Sequence, residues 1–379
     1  MPSAVCVPVP AAPAEAEIAR WRPDLIARGA SLILWGFMLL FADMTINKKL
    51  VKNFIHLILF AAAAYTSLKM TTYGWVFWSG EYVPAAGRNM AMPAKLKAHV
   101  AKLAGEIGSR DVYKNNFANL GKAQAYIAAQ LKSYGYKVEY QAYPVAGTKA
   151  VNLTATRTGT SLPDETIVVG AHYDTFNNPG ADDNASGVAG MLALAELAAK
   201  RQLARTMKFV AFANEEPPFF RTKDMGSAVW SKTALERKEN IKAAVVLEMI
   251  GYYKTGPESQ KYPPFIGPFH PNKGNFITQV SDFRSRAFAR RVDAEFRKNS
   301  GLPLVTVALP SFVPGVDFSD HRNFWKDGYQ AVMFTDTSFY RNANYHKQTD
   351  TPETLDYERM AAVIEGLAPA LFAEAGAAK

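Results

Sequence analysis

The chain has 379 residues, of which 49% are hydrophobic and 20% charged, so it is long enough for one large α/β domain plus further sequence. This composition excludes collagen-like, disordered and repeat-array classes. The formal net charge is +9, but the basic residues are dispersed and no aromatic recognition motif accompanies them, so we expect no nucleic-acid partner. The only cysteine is Cys6, which leaves the rest of the chain without disulfides or thiolate ligands.

Residues 1–90 are predicted to be an N-terminal extension that contains two apolar segments, 30–42 and 54–68. The first is short for a membrane span, which needs about 20 apolar residues. The second follows a cluster of lysines and resembles a secretory signal, in which case Met44 becomes an alternative start. We expect an exported protein, periplasmic or extracellular, which is anchored to the membrane if the segment is retained. A membrane hairpin and a cytosolic protein with a buried N-terminal helix are the alternatives.

Residues 91–379 are predicted to form one catalytic domain, because neither a linker nor an internal repeat divides them. Strands that alternate with helices imply an α/β fold, with a mostly parallel mixed sheet and helices on both faces. A dense basic run, 284–298, fits the solvated face of an amphipathic helix. The predicted helices are 94–107, 121–134, 185–200, 227–238, 275–299 and 357–373; the predicted strands are 137–143, 151–157, 166–171, 207–213, 243–249 and 330–335.

Polar residues that suit a metal site follow the first central strand. His172 and Asp174 are two residues apart, so in extended backbone both side chains point to the same side and the acid can orient the imidazole. Asp182 and Asp183 come next, in a glycine-flanked turn before a predicted helix. Aspartate is also a good helix N-cap, so we interpret one of the pair as a cap and Asp183 as a metal ligand.

Carboxylates also follow the next two strands. Glu215 and Glu216 come directly after an apolar strand, and two adjacent carboxylates repel each other unless a cation neutralises them. Glu248 lies at the end of another apolar strand, where a charge without a partner is costly. The alternative for the glutamate pair is a solvated acidic loop. For Glu248 we expect a buried partner, either a metal or a basic group.

A histidine completes the set near the C-terminus, where His346 follows the strand 330–335. We assign the separate segment 319–321, which is Ser-Asp-His, a supporting role. Two imidazoles and several carboxylates, without a thiolate, suit Zn²⁺, and Mn²⁺ or Co²⁺ accept the same ligand types. The number of ligands leaves room for two ions.

Five of these segments together resemble the aminopeptidase Y and bacterial leucyl aminopeptidase family, whose members are zinc exopeptidases. The segments occur in the family's order and are GAHYDT (170–175), PGADDNASG (179–187), NEE (214–216), LEM (247–249) and YH (345–346). The resemblance implies the zinc exopeptidase fold, two Zn²⁺ ions and peptide substrates. It implies that Asp183 bridges both ions, that His172 and Glu248 complete one site, and that Glu216 and His346 complete the other.

The same resemblance implies the reaction and its catalytic residues. A metal-bridging water attacks a peptide carbonyl, Glu215 acts as general base, and Asp174 orients His172. The chain departs from the family after the glutamate pair, where an insertion at 217–224 replaces a short glycine-rich run. We expect Phe219, Phe220 or Arg221 in this insertion to shape the substrate pocket. A glutaminyl cyclase and an inactive membrane-tethered binding domain are the alternative functions.

Overall fold

The computed structural model of the protein describes residues 48–73, 80–85, 87–112, 116–263, 267 and 270–377. Two compact units are distinguished by their internal contacts, residues 1–66 and 67–379. The described part of the first unit belongs to helix α1 (Lys48–Thr71), which includes the predicted apolar segment 54–68. The other predicted segment, 30–42, lies outside the described residues.

In the part of the chain that the structure describes, no helix is both long enough and apolar enough to cross a membrane. Export and membrane association stay predictions, as does the domain boundary at residue 90. Residues just before that boundary do contact the rest of the second unit. The Val83 amide donates to the Gly301 carbonyl at 3.3 Å, and Arg88 forms an ion pair with Glu358.

A nine-stranded mixed sheet forms the centre of the second unit, and its strand order is β1-β8-β7-β9-β6-β4-β5-β3-β2. The four strands β9, β6, β4 and β5 are parallel neighbours, and β7 and β8 also pair in parallel, whereas the other pairings are antiparallel. The strands are β1 (Thr72–Tyr73), β2 (Val138–Val145), β3 (Thr148–Arg157), β4 (Leu162–His172), β5 (Arg205–Phe212), β6 (Asn240–Leu247), β7 (Ile277–Ser281), β8 (Leu304–Ala308) and β9 (Ala331–Thr335).

Helices cover both faces of this sheet, so the predicted α/β class with a mixed sheet is confirmed. Along β4, Val169 packs in one hydrophobic cluster and its neighbour Val168 in the other, because successive side chains of a strand point to opposite faces. The first cluster includes residues of α2, α3, α4, α6 and α8, and the second includes residues of α5 and α7. The helices are α2 (Met92–Val100), α3 (Phe117–Ser133), α4 (Gly187–Ala199), α5 (Gly226–Glu236), α6 (Arg286–Asn299), α7 (His321–Lys326) and α8 (Tyr357–Glu374).

One predicted helix is wrong at its start, because the helix begins at Arg286 and not at residue 275. The span 275–299 contains strand β7 and only then helix α6. The segment Ile277–Ser281 is buried on both faces and rich in β-branched residues, which favours a strand that is paired on both sides. Helix α6 has the expected amphipathic character, and Phe288, Val292 and Phe296 lie on its buried face.

Candidate metal centre

The predicted metal-site residues lie at the carboxyl ends of the four parallel central strands. His172 is the last residue of β4, and Glu248 directly follows β6. Glu216 lies in the loop after β5, and His346 lies in the segment after β9. Because parallel strands end at the same edge of a sheet, residues that are far apart in the sequence meet there.

Five side chains form two groups that share Asp183. In the first group, Nε2 of His172 lies 3.3 Å from Oδ1 of Asp183 and 3.3 Å from Oε2 of Glu248. In the second group, Nε2 of His346 lies 3.2 Å from Oδ2 of Asp183 and 3.1 Å from Oε2 of Glu216. Each oxygen of the Asp183 carboxylate therefore serves a different group.

These separations fit ligands that converge on zinc. Zn–N and Zn–O bonds of 2.0–2.1 Å in a tetrahedron place neighbouring ligand atoms roughly 3.3–3.4 Å apart. Four buried atoms in the cluster have no hydrogen-bond partner, namely Nδ1 and Nε2 of His172, Oε1 of Glu216 and Nε2 of His346. Buried polar atoms without partners are costly, so the residues present fit a site for metal cations.

Without metal ions, the pKa values of several groups in the cluster are raised. Burial raises the pKa of Glu216 to about 8, with the Asp183 charge adding to it. Burial also raises the pKa values of Glu215 and Glu248. For His346 burial acts in the opposite direction, but the adjacent carboxylates of Asp183 and Glu216 outweigh it and raise the pKa to about 10. Cations that bind here must displace protons, so metal affinity depends on pH.

The backbone of both ligand segments is held by buried aspartates. Oδ1 of Asp174 lies 3.5 Å from Nδ1 of His172, and the two oxygens of Asp174 accept hydrogen bonds from the Glu215 and Glu216 amides, each at 3.1 Å. Asp350 accepts from the Asp182 and Asp183 amides at 3.0 and 3.1 Å.

The prediction that one residue of the pair Asp182–Asp183 caps the next helix is wrong, and Asp182 has a different set of partners. Its oxygens accept from the Gly251 amide at 2.9 Å and from the Asn342 side chain at 2.7 Å. Asn184 accepts instead from the first helical amide of α4, that of Gly187, at 3.1 Å. Its Nδ2 donates to the Leu247 carbonyl at 2.9 Å, so Asn184 joins the Asp183 turn to the end of β6.

A fully buried arginine, Arg110, lies behind this turn and was not predicted from the sequence. Its guanidinium donates only to carbonyl oxygens, those of Tyr173, Leu103, Gly108, Pro179 and Gly180, at 2.7–3.3 Å. Burial lowers the pKa of Arg110 to about 10, and the charge of Asp174 is the first of several that oppose this shift. Arg110 therefore stays charged at neutral pH and offsets part of the surrounding negative charge.

The segment 319–321 has a supporting position, as expected. The Ser319 hydroxyl donates to Oε2 of Glu248 at 2.7 Å, and this is the oxygen that faces His172. Asp320 is fully buried, and burial raises its pKa to about 7. His321 points elsewhere, because its Nε2 contacts the Val316 carbonyl at 2.7 Å.

A cavity of about 340 Å³ opens beside the ligand cluster. Its lining includes carboxylates of the cluster and Glu215, and the rest of the lining is mostly apolar. Side chains of β7, β8 and β9 form part of the lining, and the loop after β8 forms more of it. The cavity therefore combines charged groups with an apolar surface.

Comparison with known protein sequences gives the family. Residues 152–371 match the model of peptidase family M28. The chain is 39% identical over 300 residues to "Uncharacterized protein YfbL" of Escherichia coli (strain K12), a match that covers 76% of this chain and 90% of that protein. It is 27% identical over 325 residues to a "Probable zinc metalloprotease" of Pyricularia oryzae (strain 70-15), covering 72% of this chain and 62% of the relative.

Solved structures share the fold. A zinc aminopeptidase from Bacillus subtilis superposes with a TM-score of 0.59 at 13% identity, covering 76% of this chain and 97% of that one. A glutaminyl cyclase from Fimbriiglobus ruber gives a TM-score of 0.54 at 18% identity, with coverages of 76% and 97%. The family match and the relatives agree with the arrangement of imidazoles and carboxylates at the sheet edge, and the chain belongs to peptidase family M28 as a zinc metallopeptidase.

Proposed function

We propose that this metallopeptidase removes N-terminal residues from peptides and uses two zinc ions. The observation that carries the proposal is the pair of ligand groups that share Asp183, with Glu215 beside them. His172, Asp183 and Glu248 would hold one ion, and Asp183, Glu216 and His346 the other. Three carboxylates against two dications leave about one excess positive charge, which suits an anionic nucleophile.

We assign the catalytic roles according to which side chains can accept and release a proton. Zinc in such sites polarises the substrate carbonyl and lowers the pKa of water. Glu215 is buried, lines the cavity and belongs to neither group that shares Asp183, although it forms a third group with His172 and Glu216; we assign it as the general base. It takes a proton from the attacking water and passes it to the leaving amine. Asp174 positions Glu215 by accepting a hydrogen bond from the Glu215 backbone amide.

The cavity supports cleavage at a peptide end. The carboxylates of the ligand cluster, with the metal ions that they would hold, form part of its lining. The apolar walls next to them suit a hydrophobic side chain of the first residue. Glutaminyl cyclisation is the second candidate, because a glutaminyl cyclase shares this fold.

A peptide panel together with metal analysis tests the proposal. We expect about two zinc ions per chain, cleavage of peptides with a free N-terminus, and loss of cleavage when the N-terminus is blocked. A peptide that begins with glutamine, followed for ammonia release, measures cyclisation in the same panel. Cyclisation without cleavage would assign the second function, and equal cleavage of blocked peptides would refute the aminopeptidase assignment.

The Glu215→Gln variant tests the general base. It should lower kcat by roughly 10²–10⁴-fold while metal content stays at the wild-type level. Glu236→Gln, on the exposed surface of α5, is the matched control and should leave both unchanged. A wild-type kcat in Glu215→Gln would show that Glu215 is not the general base.

We also propose that the protein is exported. Lysines at 48, 49 and 52 precede the apolar segment 54–68, which is the order of a secretory signal. N-terminal sequencing of the mature protein from fractionated cells tests this. A cytosolic protein with an intact N-terminus would contradict it.

A further inference from the structure

The loop between β5 and α5, residues 213–225, carries the insertion that begins directly after Glu216. It folds back in a tight turn, in which the Phe219 amide donates to the Glu216 carbonyl at 3.0 Å and the Thr222 amide to the Phe219 carbonyl at 2.9 Å. Arg221 within this turn has a φ of 63°, a left-handed conformation that glycine adopts with less strain.

The Arg221 side chain joins this loop to a second one. It forms an ion pair with Asp317, which lies in the loop between β8 and α7, residues 309–320. Its guanidinium also lies 4.8 Å from the ring centre of Phe318 and 5.5 Å from that of Phe220. The two rings contact each other edge to face, with centres 5.9 Å apart.

Phe220 and Phe318 both line the cavity beside the ligand cluster. One ring comes from each loop, so this aromatic pair is a wall that exists only while the two loops stay together. Asp317 is 8% exposed and faces a second arginine, Arg322, at 3.5 Å. Asp317 is therefore a fixed anchor, and Arg221 is the part of the contact that the β5–α5 loop supplies.

We propose that Arg221 is a specificity-determining residue, which fastens the Phe220–Phe318 wall and thereby sets the preference for a large apolar N-terminal side chain. This inference rests on the proposed aminopeptidase function. Arg221 lies outside the ligand cluster, so it acts through the wall and not on the reacting atoms. The side chains of alanine and glycine offer little apolar surface to this wall, whereas those of leucine and phenylalanine offer more.

Kinetics of Arg221→Met test the proposal, since methionine removes the charge and keeps an unbranched apolar chain. We expect KM for dipeptides that begin with leucine or phenylalanine to rise about fivefold, because one partly exposed ion pair and two cation–π contacts are lost. The kcat values, and the kinetics for peptides that begin with alanine, should stay at wild-type values. Arg221→Lys keeps the charge and should recover most of the preference.

Lys223→Met is the matched control, because it removes a positive charge from the same exposed turn without touching Asp317. Hydrogen exchange gives a readout that needs no substrate. Amides of both loops, 213–225 and 309–320, should exchange faster in Arg221→Met than in the control. Unchanged exchange and an unchanged ratio of KM values would overturn the proposal. If the wild-type enzyme cleaves none of the peptides, the aminopeptidase function fails, and the exchange comparison still decides whether Arg221 fastens the wall.

Discussion

Asp174 and Asp350 hold the two halves of the metal centre by the same device, because each carboxylate accepts hydrogen bonds from two consecutive backbone amides. Asp174 accepts from the pair Glu215–Glu216, and Asp350 accepts from the pair Asp182–Asp183, at 3.0–3.1 Å in all four bonds. Both aspartates are buried. The positions of the ligand side chains therefore depend on carboxylates that are not themselves members of either ligand group.

We predict that Asp350→Asn weakens metal binding. An asparagine presents one acceptor oxygen and one NH₂ group, so one of the two amides loses its acceptor and the Asp183 turn is no longer fixed. Loss of such supporting contacts lowers metal affinity by roughly 10–100-fold. Competition with a chelator of known affinity measures the change. Glu353→Gln, a nearby exposed carboxylate, is the control, and equal affinities in the two variants would show that the turn is held by other contacts.

We predict that Arg110→Lys destabilises the fold. A lysine has three donors and cannot reach the five carbonyl oxygens that the guanidinium serves, so buried acceptors are left without partners. The free energy of unfolding should fall by roughly 3 kcal/mol or more. Urea unfolding of the zinc-loaded and chelator-treated protein measures it, with Arg237→Lys at an exposed position as the control. If the free energy of unfolding falls only in the zinc-loaded protein, Arg110 acts on metal binding and not on the stability of the fold.

We predict that Ser319→Ala weakens one metal site more than the other. Ser319 donates to Glu248, which belongs to the group with His172 and not to the group with His346. Without this donor, Glu248 is oriented less firmly, and one of two zinc-binding steps should weaken by about tenfold. Calorimetric titration of the metal-free protein resolves the steps. Ser311→Ala, in the same loop but exposed, is the control, and two equally weakened steps would contradict the separate sites.

The sequence predicts the central part of the fold well, for a physical reason. Strands β4, β5 and β6 are apolar runs because they are buried on both faces, and polar residues follow each of them where the sheet ends. The sequence pattern does not separate strand β7 from helix α6, because the strand is five residues long and no proline stands between it and the amphipathic segment. Such short strands gain their stability from neighbours that no local pattern contains.

The candidate ligands, Asp174 and the segment 319–321 could be proposed from the sequence, whereas Arg110 and Asp350 could not. His172, Glu216 and Glu248 lie at or just after the ends of buried strands. Such charged and polar residues beside apolar runs are not required for solubility, so they indicate a site. Arg110 and Asp350 instead bond to backbone groups, several of which are far away in sequence: Arg110 donates to the Tyr173 carbonyl and Asp350 accepts from the Asp182 amide. Backbone groups are the same at every position, so a side chain that binds them leaves no matching signal in the partner sequence.

The last prediction concerns pH. His99 is buried beside Tyr126, whose hydroxyl lies 2.7 Å from Nδ1, and burial lowers the pKa of His99 to about 4. In the unfolded chain the same group titrates near 6.5. Between these values the unfolded state binds more protons than the folded state, so the free energy of unfolding falls as the pH falls from 6.5 to 4.

From pH 7 to pH 5 this difference amounts to about 2 kcal/mol from His99 alone. The His99→Gln variant does not titrate there, so its loss of stability over the same interval should be smaller by that amount. Urea unfolding of the chelator-treated protein at the two pH values measures it, because bound zinc would add its own pH dependence. His56→Gln, at an exposed position of α1, is the control and should follow the wild type. Equal pH dependence in His99→Gln and the wild type would mean that His99 is protonated in the folded protein at pH 5.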